Sequence, residues 1–304
     1  EVIVGSASMG NILTKQFYRQ RKDFEDSCAG RDAGLTFPEG VRCSTDIAYA
    51  DDGIKAHVLD IYRPEDSQEK ILPVIINVHG GGLIIGNKEF NRYFCALLCK
   101  KGFLVYSIEY RLIPDCLIYD QIAYVFMAMD YIKERLAADG GDSSHVYMAG
   151  DSGGACLITY ANAIQNSTNI ARAANVTPSG LRINALGLIS GMFYTSRFDK
   201  IGLFLPKYLY GRDYKKTPFA KYVNPENREL LNSLAPVWLV TSHNDFLRRY
   251  TTDFEKALTR AEREHELVVF PKNKKLTHAF SVFEPFMPES SEVIDMMVEY
   301  LRKF

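Results

Sequence analysis

Residues 145–154 read HVYMAGDSGG, an apolar run that ends in a glycine-rich turn. Its first half has the apolar, β-prone character of a buried strand, and the chain continues from Ala155 with the pattern of a helix. A serine on such a tight strand-to-helix turn presents its hydroxyl above the carboxyl edge of a parallel sheet. Glycines at Gly150 and Gly154 keep Cβ atoms away from the neighbouring strand and helix. Ser152 is therefore the candidate nucleophile.

On both sides of this turn, from about residue 45 onward, short β-rich runs alternate with longer helical patterns. This alternation predicts an α/β fold with a mostly parallel central sheet and crossover helices on its faces. The predicted strands are Thr45–Tyr49, Lys55–Tyr62, Pro73–Val78, Phe103–Tyr110, His145–Ala149, Ala185–Ser190, Pro236–Thr241 and Leu267–Phe270. The predicted helices are Glu89–Lys100, Asp120–Leu136, Gly154–Gln165, Tyr250–Glu264 and Ser291–Arg302.

Two segments interrupt the alternation and divide the chain. Residues 1–44 form a polar, mixed N-terminal segment that we interpret as a cap, and residues 45–304 form one catalytic domain. An aromatic-rich insertion covers about 191–228 within that domain. Long connections with their own apolar residues are often lids or binding elements. The insertion is therefore expected to supply pocket-lining aromatic side chains or to pack them against the core.

Composition and charge exclude several classes of protein. The formal net charge is -1, from 36 basic and 37 acidic residues, and no long basic run suggests nucleic-acid binding. No apolar run is long enough to span a membrane. Because the chain begins with Glu1, the sequence leaves open whether a leader was removed. Scattered cysteines without metal-ligand spacing predict buried free thiols and a reducing, cytoplasmic location, at Cys28, Cys43, Cys95, Cys99, Cys116 and Cys156.

A second glycine motif, His79-Gly80-Gly81-Gly82, directly follows the predicted strand Pro73–Val78. Consecutive glycines let the backbone approach a substrate closely and direct N–H groups at one point. Such converging donors stabilise the oxyanion of a tetrahedral intermediate. Together with the turn at Ser152, the motif predicts acyl-transfer chemistry.

The pentapeptide GDSGG also surrounds the serine of trypsin-like proteases. Those enzymes have an all-β chain and the catalytic order His, Asp, Ser. Here the predicted strands alternate with helices, so the protease interpretation is excluded.

With both motifs, the chain resembles the hormone-sensitive-lipase-like branch (family IV) of the α/β-hydrolase superfamily, carboxylesterases marked by HGGG and GDSAG. Residues 110–115, YRLIPD, are similar to the YRLAPE segment of that family, and residues 245–248, DFLR, are similar to its DPLRD segment. The chain departs from the usual family residues at Ile113, Gly153, Phe246 and Ala279.

The resemblance implies a catalytic triad in the order Ser, Asp, His, formed by Ser152, Asp245 and His278. It further implies an oxyanion hole built from the N–H groups of Gly81, Gly82 and Gly153, and it requires neither a metal nor an organic cofactor. His243 and Asp253 remain the alternatives for the base and the acid.

The implied function is a serine carboxylesterase for short-acyl, small-molecule esters, acting through an acyl-enzyme. A deacetylase of acylated sugars or natural products would use the same residues, as would a peptidase or amidase. A non-catalytic small-molecule receptor on the same fold is the remaining alternative. The sequence predicts no nucleic-acid partner and no membrane span, and it leaves a homodimer open.

Overall fold

The computed structural model describes residues 2–67 and 69–304, and for residues 2–11 it describes the backbone only. Glu1, the first residue of the predicted N-terminal segment, lies outside the described residues. The strands are β1 (Val41–Ala48), β2 (Val58–Pro64), β3 (Leu72–Val78), β4 (Leu104–Ile108), β5 (Gly141–Asp151), β6 (Ala185–Ile189), β7 (Val237–Ser242) and β8 (His265–Phe270).

The helices lie on both faces and at the carboxyl edge of the sheet. They are α1 (Val2–Asp32), α2 (Arg92–Lys100), α3 (Ile118–Arg135), α4 (Gly153–Asn166), α5 (Thr168–Ala174), α6 (Lys200–Phe204), α7 (Pro206–Tyr210), α8 (Arg228–Asn232), α9 (Arg248–Arg260), α10 (Phe280–Phe283) and α11 (Pro288–Leu301). Short 3₁₀ turns span Lys88–Asn91, Tyr214–Lys216 and Pro218–Tyr222. Among the described helices, none combines the length and the apolar character that crossing a bilayer requires.

All eight strands form one sheet in the order β1-β2-β4-β3-β5-β6-β7-β8. The β1–β2 and β2–β4 pairs are antiparallel, and every pair from β4 through β3 to β8 is parallel. The predicted mostly parallel sheet of the α/β-hydrolase fold is confirmed. Because β3 and β5 lie in its centre, the loops that follow them meet above one point of the carboxyl edge.

Two apolar cores hold this sheet between helices. Along β3, Val74 and Ile76 belong to the core beneath α3 and α4, whereas Ile75 belongs to the core beneath α2 and α11. Alternate residues of one strand therefore face different helices, as expected for a strand covered on both faces. This double burial fixes the positions at which the strands end.

The N-terminal region differs from the sequence prediction in two respects. The segment predicted as a mixed lead-in contains the long helix α1, whose Phe17 and Cys28 are buried. The strand β1 begins at Val41, before the predicted start at Thr45, because Val41 already pairs with Pro64 of β2. The division of the chain into cap and catalytic domain stays a prediction.

The close approach between the turn at Ser152 and β3 can be tested with one methyl group. A Cβ atom on Gly154 would lie 2.2 Å from the carbonyl oxygen of Val78 and 2.6 Å from that of His79. We expect Gly154→Ala to lower the free energy of unfolding by about 1–3 kcal/mol or more, measured by urea denaturation. Gly30→Ala, which meets no atom within 4 Å in α1, is the control and should keep or raise stability. Equal stabilities of the two variants would contradict the close approach between Gly154 and the end of β3.

Candidate active site

Ser152 occupies the sharp turn between β5 and α4. Its φ of 50° and ψ of -116° are rare for a residue with a Cβ, so surrounding contacts must hold the conformation. The Ser152 N–H donates to the Ile189 carbonyl at 2.9 Å, and the Ser152 carbonyl accepts from the N–H of Met192 at 3.0 Å. These bonds hold the turn against the end of β6, with the serine 8% exposed.

His278 lies between the side chains of Ser152 and Asp245. Its Nε2 atom is 2.9 Å from Ser152 Oγ, and its Nδ1 atom is 2.7 Å from Asp245 Oδ1. Asp245 follows β7 and His278 follows β8, so the ends of parallel strands bring these residues to Ser152 at the end of β5. In this geometry His278 can accept a proton from the serine while the carboxylate orients its ring.

Hydrogen bonds fix both oxygens of the Asp245 carboxylate. Thr241 Oγ1 donates to Oδ2 at 2.8 Å, and the Leu247 N–H donates to Oδ1 at 2.8 Å. Burial alone would raise the pKa of Asp245, but its bonds with His278 and Leu247 outweigh burial and hold that pKa below its ordinary value. The residue therefore stays ionised at neutral pH.

The two alternative residues are engaged elsewhere. Arg248 Nη1 is 2.6 Å from His243 Nδ1, and Asp253 forms an ion pair with Arg197 at 2.8 Å. Neither His243 nor Asp253 contacts Ser152 or His278 through any hydrogen bond in the described part of the chain.

The glycine loop after β3 lies beside the turn at Ser152. Gly81 and Gly82 have φ values of 109° and 60°, which favour glycine, and the N–H groups of Ile84 and Ile85 donate to the Gly81 carbonyl. A Cβ atom on Gly153 would lie 3.0 Å from the Gly82 nitrogen, so the two backbones are neighbours. Within residues 2–67 and 69–304, no protein acceptor binds the N–H groups of Gly81, Gly82 or Gly153. Three donors are therefore free for a substrate oxygen.

His79 stabilises this glycine loop through hydrogen bonds of its imidazole ring. Its Nδ1 atom is 2.8 Å from the Gly80 carbonyl, and its Nε2 atom is 2.7 Å from Glu109 Oε1. The Tyr110 hydroxyl donates to the His79 carbonyl at 2.7 Å, and the two rings stack at a centroid distance of 4.3 Å. Sequence reasoning missed Glu109, although a carboxylate directly after the apolar strand β4 was a usable signal.

Asp151 performs a similar structural task on the other side of the loop. Its Oδ1 atom accepts from the Gly80 N–H at 3.1 Å and from Asn91 Nδ2 at 2.9 Å. Burial raises the pKa of this carboxyl group. Asp151 therefore ties the glycine loop to the serine turn, as expected for a residue that bonds neighbouring backbone. Asn91 carried no sequence signal for this role.

An apolar pocket of about 300 Å³ opens above Ser152. The helix α1 contributes Phe24, and the insertion contributes Met192, Ile201 and Leu205. Among residues 191–228, no aromatic side chain lines this pocket; Phe193, for example, stacks on Phe254 of α9 at a ring-centroid distance of 4.2 Å. The insertion thus uses aliphatic side chains at the pocket and most of its aromatic rings for packing.

The chain matches a family model and is similar in sequence to several curated methylesterases. A family model described as an alpha/beta hydrolase fold matches residues 75–281. The chain is 29% identical over 184 residues to a probable isoprenylcysteine alpha-carbonyl methylesterase of Oryza sativa subsp. japonica, covering 57% of this chain and 44% of that protein. It is 25% identical over 254 residues to a probable isoprenylcysteine alpha-carbonyl methylesterase of Arabidopsis thaliana, covering 80% of this chain and 59% of that protein. The chain thus spans about half the length of these curated relatives.

Solved structures share the fold at lower identity. Esterase B from Lactobacillus rhamnosis superposes with a TM-score of 0.89 at 22% identity, covering 96% of this chain and 95% of that one. A hyperthermophilic esterase from the archaeon Pyrobaculum calidifontis superposes with a TM-score of 0.70 at 21% identity, covering 94% and 93%. At these identities the likeness concerns the fold.

The hydrogen bonds around His278 predict how Ser152 reacts with a fluorophosphonate. Asp245→Asn should slow phosphonylation of Ser152 by about 10³- to 10⁴-fold, because the amide favours the wrong imidazole tautomer. Intact-protein mass spectrometry over time measures the rate. Asp253→Asn, which removes an ion pair with Arg197 and no contact of His278, is the matched control and should react like the wild type. A slow Asp253→Asn and a fast Asp245→Asn would reverse the assignment of the acid.

Proposed function

The chain belongs to the hormone-sensitive-lipase-like branch of the α/β-hydrolase family, and on that premise we propose that it is a serine carboxylesterase for short-acyl esters. One observation carries the proposal: a continuous hydrogen-bonded arrangement runs from Asp245 through His278 to Ser152 Oγ at the floor of an apolar pocket. An acyl-transfer enzyme needs such an activated nucleophile beside its substrate pocket.

In the proposed reaction, Ser152 Oγ attacks the ester carbonyl while His278 Nε2 accepts its proton. The protonated imidazole then donates this proton to the leaving alcohol, and an acyl group remains on Ser152. A water molecule, deprotonated by His278, attacks the acyl carbonyl and releases the acid. Asp245 stabilises the imidazolium in both halves of the reaction.

We propose that the N–H groups of Gly81, Gly82 and Gly153 bind the oxyanion that forms in each half. Their lack of a protein acceptor and the proximity of Gly153 to Gly82 support this role. The positive end of α4, which begins at Gly153, adds to the stabilisation of negative charge. Removing one donor of this kind typically slows turnover by about 10²- to 10³-fold.

The chemistry of the pocket bears on the choice between substrates. Its walls are almost wholly apolar, and a volume of about 300 Å³ is at the lower end for ligand pockets. These properties favour small, uncharged esters with apolar groups over acylated sugars, whose hydroxyl groups would lose hydrogen bonds to water there. The presence of His278, hydrogen-bonded to both Ser152 and Asp245, favours catalysis over a non-catalytic small-molecule receptor.

A second candidate within the same chemistry is a methylesterase for an apolar carboxylic ester. The apolar pocket and the methylesterase names of the curated relatives favour it. Faster release of methanol from an apolar methyl ester than of p-nitrophenol from p-nitrophenyl butyrate would select this candidate.

We also propose a reducing, cytoplasmic location. All six cysteines have free thiols, and five of them are buried. Free buried thiols are typical of reducing compartments. The homodimer stays a prediction.

The proposed function predicts a specific pattern of hydrolysis. The protein should hydrolyse p-nitrophenyl acetate and butyrate faster than the palmitate, and Ser152→Ala should lower kcat by about 10⁴-fold or more. Ser143→Ala, on the exposed start of β5, is the control and should keep wild-type rates. The release of p-nitrophenol measures each rate. Undiminished hydrolysis by Ser152→Ala would refute the proposal, and equally fast anilide cleavage would favour an amidase.

A further inference from the structure

Arg21 of α1 binds three acceptors on two segments near the pocket. Its Nε atom donates to the Ile84 carbonyl at 2.8 Å, and its Nη2 atom donates to the Ile113 carbonyl at 2.5 Å. Its Nη1 atom pairs with the Asp115 carboxylate at 2.8 Å, and the side chain is 17% exposed. The Tyr18 hydroxyl, one turn earlier in α1, also donates to Asp115. A planar guanidinium whose three nitrogens each donate a hydrogen bond has a fixed orientation.

One of these acceptors belongs to the loop of the proposed oxyanion hole. Ile84 N–H donates to the Gly81 carbonyl at 3.1 Å, so Ile84 and Gly81 are parts of one tight turn. Ile113 N–H donates to the Leu83 carbonyl at 2.9 Å and joins this turn to the segment that contains Asp115. Arg21 of α1 therefore holds the glycine turn and its neighbouring segment together.

A second arginine of α1 makes carbonyl contacts elsewhere. Arg31 donates to the Phe90 carbonyl at 2.8 Å and to the Val282 carbonyl at 3.2 Å, and Phe90 lines the pocket. Between the two arginines, Phe24 lines the pocket and packs on Phe90 with a ring-centroid distance of 4.8 Å. Both arginines dock α1 over the pocket, but only Arg21 contacts the glycine turn.

From these contacts we infer that Arg21 is a positioning residue, which couples the docking of α1 to the placement of the Gly81 and Gly82 N–H groups. The inference rests on the proposed function, because the turn is an oxyanion hole only if an ester is hydrolysed. Oxyanion donors act through preorganisation, so a turn that drifts by a fraction of an ångström stabilises the transition state less while the substrate still binds. Asp115, the last residue of the YRLIPD segment, pairs with the guanidinium and keeps it in the orientation that its two carbonyl contacts require.

The test compares Arg21→Gln with Arg31→Gln in the full chain, using p-nitrophenyl butyrate and an alkyl trifluoromethyl ketone. The ketone forms a tetrahedral adduct with the serine and therefore reports the oxyanion hole directly. We expect Arg21→Gln to lower kcat and ketone affinity by the same factor, about 10- to 10²-fold, with KM changed by less than about threefold. Arg31→Gln should raise KM and leave kcat near the wild-type value.

A second, milder variant keeps the test informative if Arg21→Gln does not fold. Asp115→Asn leaves both carbonyl contacts of Arg21 available and weakens the contacts of the carboxylate with Arg21 and Tyr18, and it should show a smaller loss of kcat and ketone affinity in the same proportion. Circular dichroism melting identifies which variants fold.

Either of two results would overturn the inference: the same kcat and KM pattern in both arginine variants, or unchanged ketone affinity in folded Arg21→Gln and Asp115→Asn. A wild-type protein that neither hydrolyses esters nor binds the ketone would overturn the proposed function, and the inference with it. An active wild type with an unaffected Arg21→Gln overturns the inference alone.

Discussion

The backbone of Ser152, held at a φ of 50°, is the constraint that joins the sheet to the site. This conformation is costly for a residue with a side chain, and the ends of β3 and β6 maintain it through close backbone contacts. Packing of helices on both faces of the sheet fixes those strand ends. The apolar cores therefore determine the direction in which one hydroxyl group points.

Around this turn, hydrogen bonds and apolar contacts have different effects. Hydrogen bonds orient the polar groups; the Asp245 carboxylate, for example, bonds with Thr241, Leu247 and His278. Apolar side chains from α1 and the insertion cover the site and determine which groups enter. This apolar cover also strengthens the hydrogen bonds beneath it, because electrostatic interactions are stronger where the local dielectric constant is low.

The sequence predicted the parts of the molecule that depend on local pattern. The strand, turn and helix around Ser152 follow from neighbouring residues, and the glycine motif at 79–82 follows from its strand. The helix α1 was missed because its apolar residues do not form one regular helical stripe, and the burial of Phe17 and Cys28 depends on the surface against which α1 packs. The bond between His79 and Glu109 was also missed, since it joins residues that are distant in sequence and meet only when β3 and β4 pair. The catalytic roles of Ser152, Asp245 and His278 stay predictions, supported by the geometry.

The role of Ser152 as nucleophile is tested most directly by rapid mixing of the protein with p-nitrophenyl butyrate, followed by acid quenching and peptide mapping. When deacylation is the slower step, Ser152 as nucleophile gives an initial burst of p-nitrophenol near one equivalent per chain and a butyryl group on the peptide that contains Ser152. A burst with no butyryl group on that peptide, or a butyryl group on another residue, would contradict the role of Ser152 as nucleophile.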